Sequence, residues 1–399
     1  MIVNKGFKYK IKPTENQLKN ILQQGGNSRF LWNKLLEINM NKYKEEGKFN
    51  FSYSMVMDIP RLKEEFPFLK ESFSQSLQTV GRQLNTALCN FLKERKTNKN
   101  IGFPVFKSKS KENDSFHCPQ KWGLYKNCVQ IPKIGKVQWI KHRPLQGKPK
   151  SITISQDGND WYCSVLCEVN IKDKELKKDN IVGIDVGLKD FAILSDGTSI
   201  NRERVIKKYE DKLAREQRKL SRKAKGSKNR DKQRRVVREV HKKIKNERLD
   251  FLHQTANRMI IKYDGFCVED LAVKNMMRNH KLSKNIADVS WGEFYRQLEY
   301  KSLWNFKHYI EIGRFYPSTK KCSKCGFIKD SISLDERVFI CNDCGFEISR
   351  DLNASINIKD IGIENTFGQK GINASGDDKV HAQKSRWSSM KEEKELHIN

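Results

Sequence analysis

No stretch of this 399-residue chain approaches the ~18–20 consecutive apolar residues that a membrane-spanning helix needs, which argues against a helical membrane protein. The opening MIVNKGFKYKIKP carries charge where a signal peptide has its apolar stretch. The expectation is a cytoplasmic protein without a membrane partner. Histidine is sparse, with eight in all, and none is placed as an obvious general base. No Walker-type phosphate loop, Ser-His-Asp arrangement or HExxH is evident, so the usual signatures of those chemistries are missing. Acidic residues are outnumbered: 48 Asp and Glu stand against 78 Lys and Arg, for a formal charge of +30. Such an excess repels itself in a compact fold, and a polyanionic partner relieves it. Nucleic acid is the leading partner class.

The length is too great for one core and points to about two or three domains. Hydrophobic residues, at 37%, suffice for a folded protein. Six of the ten cysteines (Cys89, Cys118, Cys128, Cys163, Cys167 and Cys267) are scattered in apolar or strand-like surroundings, as reduced buried thiols are. The other four are clustered. CSKCG and CNDCG place Cys322, Cys325, Cys341 and Cys344 as two C-x2-C pairs fifteen residues apart. Two such knuckles close a tetrahedral thiolate cage around one Zn²⁺, and Gly326 and Gly345 permit the tight turn after each pair. With all four positions filled by Cys, the metal is structural. The intervening FIKDSISLDERVFI reads as a short hairpin held by it.

Ile2 to Lys12 reads as a strand, ended by Pro13, and Thr14 with Gln17 forms a capping box for a first helix. Helical patterning continues to about Arg95, with Leu77, Val80, Leu84, Leu88 and Phe91 spaced three and four apart. Between Ile101 and Glu168, short alternating runs such as SITISQ and WYCSVLCEV indicate antiparallel strands. IKDKELKKDN is a charged linker, and a new domain starts at Ile181. The last residues, from about Thr366 to Asn399, are polar and expected to be a disordered tail.

Three carboxylates stand out. Asp185 interrupts the apolar strand IVGIDV, where an unpaired charge costs several kcal/mol. Glu269 ends the short strand Phe266-Cys267-Val268, and Asp351 begins a helix that shares one face with Ala354, Ser355 and Ile358. Singly, such residues are more often caps or ion-pair partners. Together they suit two hard divalent cations, Mg²⁺ or Mn²⁺, about 3.5–4 Å apart in a site for phosphodiester hydrolysis. Between the first two acids lies a basic helical region, broken near Gly226, Ser227 and Asn229. From Arg215 to Arg248 it holds sixteen Lys or Arg and four Asp or Glu. A charge run is usually a solvated face, but this imbalance exceeds what i,i+4 pairing absorbs and favours a backbone-binding surface. Arg215, Arg218, Arg222, Arg234, Arg235 and, upstream, Lys107 are its candidate nucleic-acid contacts.

The order of IVGIDVGLKDFAILSDG, FCVEDLAVKNM and FYPSTKKCSKCG through CNDCGFEISRDLNASINI resembles the TnpB family, the RNA-guided nucleases of insertion sequences related to the smallest type V CRISPR effectors. The likeness covers nearly the whole chain. It implies a multidomain α+β and α/β protein with an RNase H-like (RuvC) nuclease domain, an inserted zinc ribbon and an N-terminal wedge-type β-barrel that carries a helical recognition lobe. The implied boundaries are 1–12 and 102–170 for the barrel, 13–101 for the lobe and 171–180 for the linker. The nuclease domain would take 181–320 and 346–365, the ribbon 321–345, and the tail 366–399. Asp185, Glu269 and Asp351 would be the catalytic acids and metal ligands. A transposon-derived guide RNA and double-stranded target DNA would be the partners of a monomeric protein that reads only a short motif beside the target. Ser349 stands where the family often has an acid, while Asp351 is kept. Two other functions are alternatives: an RNA-independent transposase or resolvase using the same acidic triad, and a guided DNA-binding repressor that does not cut, against which the presence of all three acids argues.

Overall fold

The protein is described by a computed structural model covering residues 1–96, 101–109, 115–202, 205–280, 282–333 and 335–367. Most of the polar stretch expected to be a tail, residues 368–399, lies outside the described residues, while Thr366 and Phe367 close the last helix. Two compact units are present: residues Met1–Lys172 with Lys223–Lys242, and Asp173–Arg222 with the chain from Lys243 onward.

The first unit begins with β1 (Ile2–Lys12) and α1 (Glu15–Glu46), where Pro13 ends the strand and Thr14 caps the helix. The Thr14 side chain accepts from the Gln17 backbone N–H while Gln17 reaches back to Thr14, which completes the box. Helices α2 (Ser52–Glu65) and α3 (Ser74–Arg95) pack on α1 around Leu31, Leu35, Met55, Leu62, Leu84 and Leu88. Six further strands follow: β2 (Ser115–Cys118), β3 (Gly123–Leu124), β4 (Cys128–Ile131), β5 (Gly135–Ile140), β6 (Lys148–Asp157) and β7 (Asp160–Asn170). They join β1 in an antiparallel sheet ordered β2-β6-β7-β1-β5-β4-β3. Alternation turns Tyr9, Ile11, Val137, Ile152, Ile154, Cys163 and Val165 into one core. Among the described residues the sheet stays open at β2 and β3, so the expected barrel is a half-barrel.

The second unit is built on β8 (Ile181–Val186), β9 (Ala192–Leu194), β10 (Ser199–Ile200), α4 (Val205–Ser221), α5 (Lys228–Lys262), β11 (Gly265–Glu269), α6 (Val273–Met276), α7 (Ser283–Val289), α8 (Trp291–Trp304), β12 (His308–Ile312), β13 (Val338–Ile340), β14 (Glu347–Ser349) and α9 (Arg350–Phe367). The break expected in the basic region falls between α4 and α5 at Gly226 and Ser227, while Asn229 lies in the first turn of α5. Its stretch Lys223–Lys242, which sequence alone joins to the later domain, packs within the first unit. There the Lys242 Nζ pairs with Asp160, and Asn159 Nδ2 donates to the Arg235 carbonyl at 3.2 Å.

The sheet of the second unit runs β10-β9-β8-β11-β12, with β8, β11 and β12 parallel and the other pairs antiparallel. Period-two alternation sends Val182, Ile184, Phe266 and Val268 to one face, against Leu252, Met259, Phe294 and Leu298. Ile181, Cys267 and Ile312 point the other way and pack with Ile358 of α9. The approach of α9 is close because Gly183 has no side chain. A Cβ there would lie 2.0 Å from the Ser355 carbonyl oxygen and 2.7 Å from the Lys359 nitrogen.

The hairpin expected between the knuckles is placed differently. Of residues 326–337, those described form no named strand and make one isolated bridge, Lys321 to Ile328. The ladder instead pairs β13 with β14 across the second knuckle. The reason is geometric: Cys341–Cys344 is itself the turn, so Phe339 and Ile348 meet across it and pack on the cysteines.

Candidate metal centre and acidic site

The four cysteines of the ribbon converge. Their sulfurs all lie within 4.8 Å of one another, with Cys322–Cys344 at 3.8 Å and Cys325–Cys341 at 3.5 Å. Tetrahedral Zn–S bonds of ~2.3 Å put sulfurs about 3.8 Å apart, so the cage has the size for zinc. Gly326 and Gly345 follow the knuckles with φ of +83° and +68°, a left-handed turn in which a side chain would be strained. Backbone N–H groups of Cys344 and Asp343 aim at Cys341 and lower its thiol, which favours the thiolate that a metal needs. The cluster fits a structural zinc. Of the six scattered cysteines, Cys118, Cys163, Cys167 and Cys267 are buried, Cys89 and Cys128 are half-buried, and all are reduced.

The three acids meet at one end of the second sheet. Strands β8 and β11 pair in parallel up to Ile184 opposite Val268, so Asp185 and Glu269 are the next residues on neighbouring strands. Both belong to the face covered by α9, by alternation from Gly183 and Cys267. Carboxyl ends of parallel strands are where open α/β sheets bind ligands. The third acid, Asp351, comes in the first turn of α9. Burial raises the Asp185 carboxyl well above its ordinary range, and the charges of Glu269 and Asp351 raise it further. Burial also raises Glu269, opposed by the hydroxyl of Ser318, which donates to its Oε1.

Arg350 supplies the nearby positive charge. Its Nε donates to Asp351 Oδ1 at 3.3 Å and its Nη1 to the Ser333 carbonyl at 3.4 Å, while its field lowers Asp185. One guanidinium does not offset three carboxylates. Among the described residues, the cysteines are the one group of His, Cys, Asp and Glu gathered tightly enough to hold an ion as they stand. The acids act on one another through charge without that closeness.

The basic candidates are divided between the two units. Arg215 and Arg218 on α4 and Arg222 just beyond it are exposed and belong to the second unit. Arg234 and Arg235 on α5 are exposed and belong to the first. Lys107, also in the first unit, is half-buried with its ammonium 4.0 Å from the centre of the Trp32 ring. Ser318, Arg350 and the buried Asn353 and Asn357 were not found from sequence. Only the spacing of the two asparagines, four apart on one helical face, is a signal there.

Family models match three parts of the chain: "Probable transposase" over residues 164–280, "Cas12f1-like, TNB domain" over 291–358 and "Helix-turn-helix domain" over 1–48. A protein of Streptomyces pristinaespiralis named "Putative RNA-guided DNA endonuclease" is 33% identical over 377 residues, which is 93% of this chain and 92% of its own. The chain belongs to the TnpB family. A second relative, "Putative RNA-guided DNA endonuclease InsQ" of Escherichia coli (strain K12), is 31% identical over 372 residues, 88% of this chain and 90% of its own. The solved Cas12f1–sgRNA–target DNA complex superposes with a TM-score of 0.57 at 16% identity, covering 90% of this chain and 99% of that one, a likeness of fold. Family membership leaves one mismatch in description: the residues of the helix-turn-helix match form a strand and a single 32-residue helix. No described helix is long and apolar enough to cross a membrane.

Proposed function

We propose that this TnpB-family chain is an RNA-guided DNA endonuclease of an insertion sequence, cutting target DNA beside a short motif that the protein itself reads. The observation that carries the chemistry is the convergence of Asp185, Glu269 and Asp351 at the carboxyl ends of β8 and β11 under the start of α9. In this reading the second unit is an RNase H-like RuvC domain, and the half-barrel with its helices is the wedge and recognition lobe. The acids would bind two Mg²⁺ or Mn²⁺ ions and the cysteines one Zn²⁺. Divalent ions there would supply Lewis acidity to a phosphodiester and activate the attacking water. The carboxylates hold the charge that attracts such ions, and burial first, then the charges of Glu269 and Asp351, raise the Asp185 carboxyl. Arg350 balances Asp351. A chain of net charge +30 suits binding to guide RNA and duplex DNA along their backbones. The protein would act as a monomer in the cytoplasm of a prokaryote.

Asp185→Ala tests the site. Cleavage of a target plasmid should fall to background while binding of RNA and DNA persists, and unchanged cleavage would remove the assignment. The guide is tested separately: purified protein should carry a discrete RNA. Equal cleavage after that RNA is digested away would favour a guide-independent nuclease.

A further inference from the structure

Ser318 lies in the turn that leads from β12 into the ribbon, four residues before Cys322. It is buried, and its hydroxyl donates to Glu269 Oε1. The turn itself is gripped by α9. Asn357 Nδ2 donates to the Ser318 carbonyl at 2.8 Å and to the Lys321 carbonyl at 2.7 Å. Asn353 Nδ2 donates to the same Lys321 carbonyl at 2.7 Å, and its Oδ1 accepts from the Ser323 N–H at 3.0 Å. Both asparagines are almost wholly buried. Buried amides so placed have few alternative partners, and a network this well satisfied holds its members in one arrangement.

We infer that Ser318 is a positioning residue for Glu269, held in register by Asn353 and Asn357, so that the root of the zinc ribbon sets the orientation of an acid in the nuclease site. This rests on the reading of Asp185, Glu269 and Asp351 as cation ligands. Pinning Oε1 leaves Oε2 as the free oxygen of Glu269. A carboxylate held by one hydrogen bond gives up less side-chain freedom when it binds an ion. The asparagines do this work from α9, the helix that also brings Asp351, so two of the three acids are set by one element.

The test is Mn²⁺ binding to the full-length protein with its RNA, followed by calorimetry, with zinc content and melting temperature measured in parallel. Ser318→Ala removes one oxygen and should weaken Mn²⁺ binding by roughly tenfold, with zinc unchanged and the melting temperature lowered by no more than about 10 °C. Ser318→Cys keeps the shape with a far weaker donor and should repeat the loss, while Ser318→Thr should recover most of the affinity. Asn357→Ala, which touches no acid, should shift Mn²⁺ binding in the same direction. Wild-type affinity in both the Ala and Cys variants of Ser318 would overturn the inference. Wild-type protein that binds Mn²⁺ no better than Asp185→Ala would instead overturn the nuclease site on which it rests.

Discussion

Gly183→Ala is the sharpest test of how the acidic site is assembled. The added Cβ would stand 2.0 Å from the Ser355 carbonyl oxygen, 2.7 Å from the Lys359 nitrogen and 2.9 Å from the Lys359 Cβ. The two nearest atoms are backbone, so no side chain can swing aside. Ordinary C···O contacts sit at about 3.3 Å, so α9 would have to retreat by more than about 1 Å. Overpacking of this kind costs about 3 kcal/mol, the upper part of its usual range. For a unit of this size that lowers the melting temperature by roughly 6–12 °C. Because α9 carries Asp351, cleavage should fall with it. Gly313→Ala is the control, since a Cβ there meets nothing within 4 Å. Thermal unfolding of the two variants side by side decides the matter. Gly183→Ala melting within about 2 °C of wild type would refute the close approach.

Two further outcomes are expected. Freshly prepared protein should contain about one Zn²⁺ per chain, and chelation should expose the four ribbon thiols to a disulfide reagent. Cys118, pushed up to about 11 by burial, and Cys163 and Cys267, pushed up to about 12, should stay unreactive at neutral pH in the folded chain; an unchanged thiol count after chelation would rule out the cage. The acids give a pH signature in divalent-free buffer. Asp185 titrates above its ordinary 3.8 in the fold, so the folded state holds its proton longer than the unfolded state. Stability from this group is therefore greatest at low pH and declines as pH rises from about 4 through the raised value. Asp185→Asn should flatten that decline in urea unfolding between pH 4 and 7, and an identical slope would show that burial and the neighbouring acids do not raise Asp185.

Sequence made some features legible because their signals are local. The box at Thr14 and Gln17, the alternation of β6 and β7, and the knuckle spacing each lie within a few residues. Asp185 was conspicuous as a charge inside an apolar strand. What escaped depends on distant pairs. Ser318 reads as an ordinary loop serine until Glu269, forty-nine residues earlier, comes to its hydroxyl. Asn353 and Asn357 read as polar helix positions until the ribbon root folds onto them. The ribbon hairpin was misplaced because the alternation of Val338-Phe339-Ile340 does not say on which side its partner lies. The basic residues kept their signs but not their neighbours, since charge counts carry no address.

The late position of α9 has a consequence for synthesis. β8 and β11, with Asp185 and Glu269, leave the ribosome well before Arg350–Phe367 does. Ile181, Cys267 and Ile312 take their cover from Ile358 of that helix, and the third acid is on it too. A growing chain, or one truncated before Arg350, thus lacks both the cover for its core and the full set of carboxylates. On the function proposed above, the third acid and the cover for that face of the sheet arrive with one helix, so a chain cut short before Arg350 would lack a complete cutting centre.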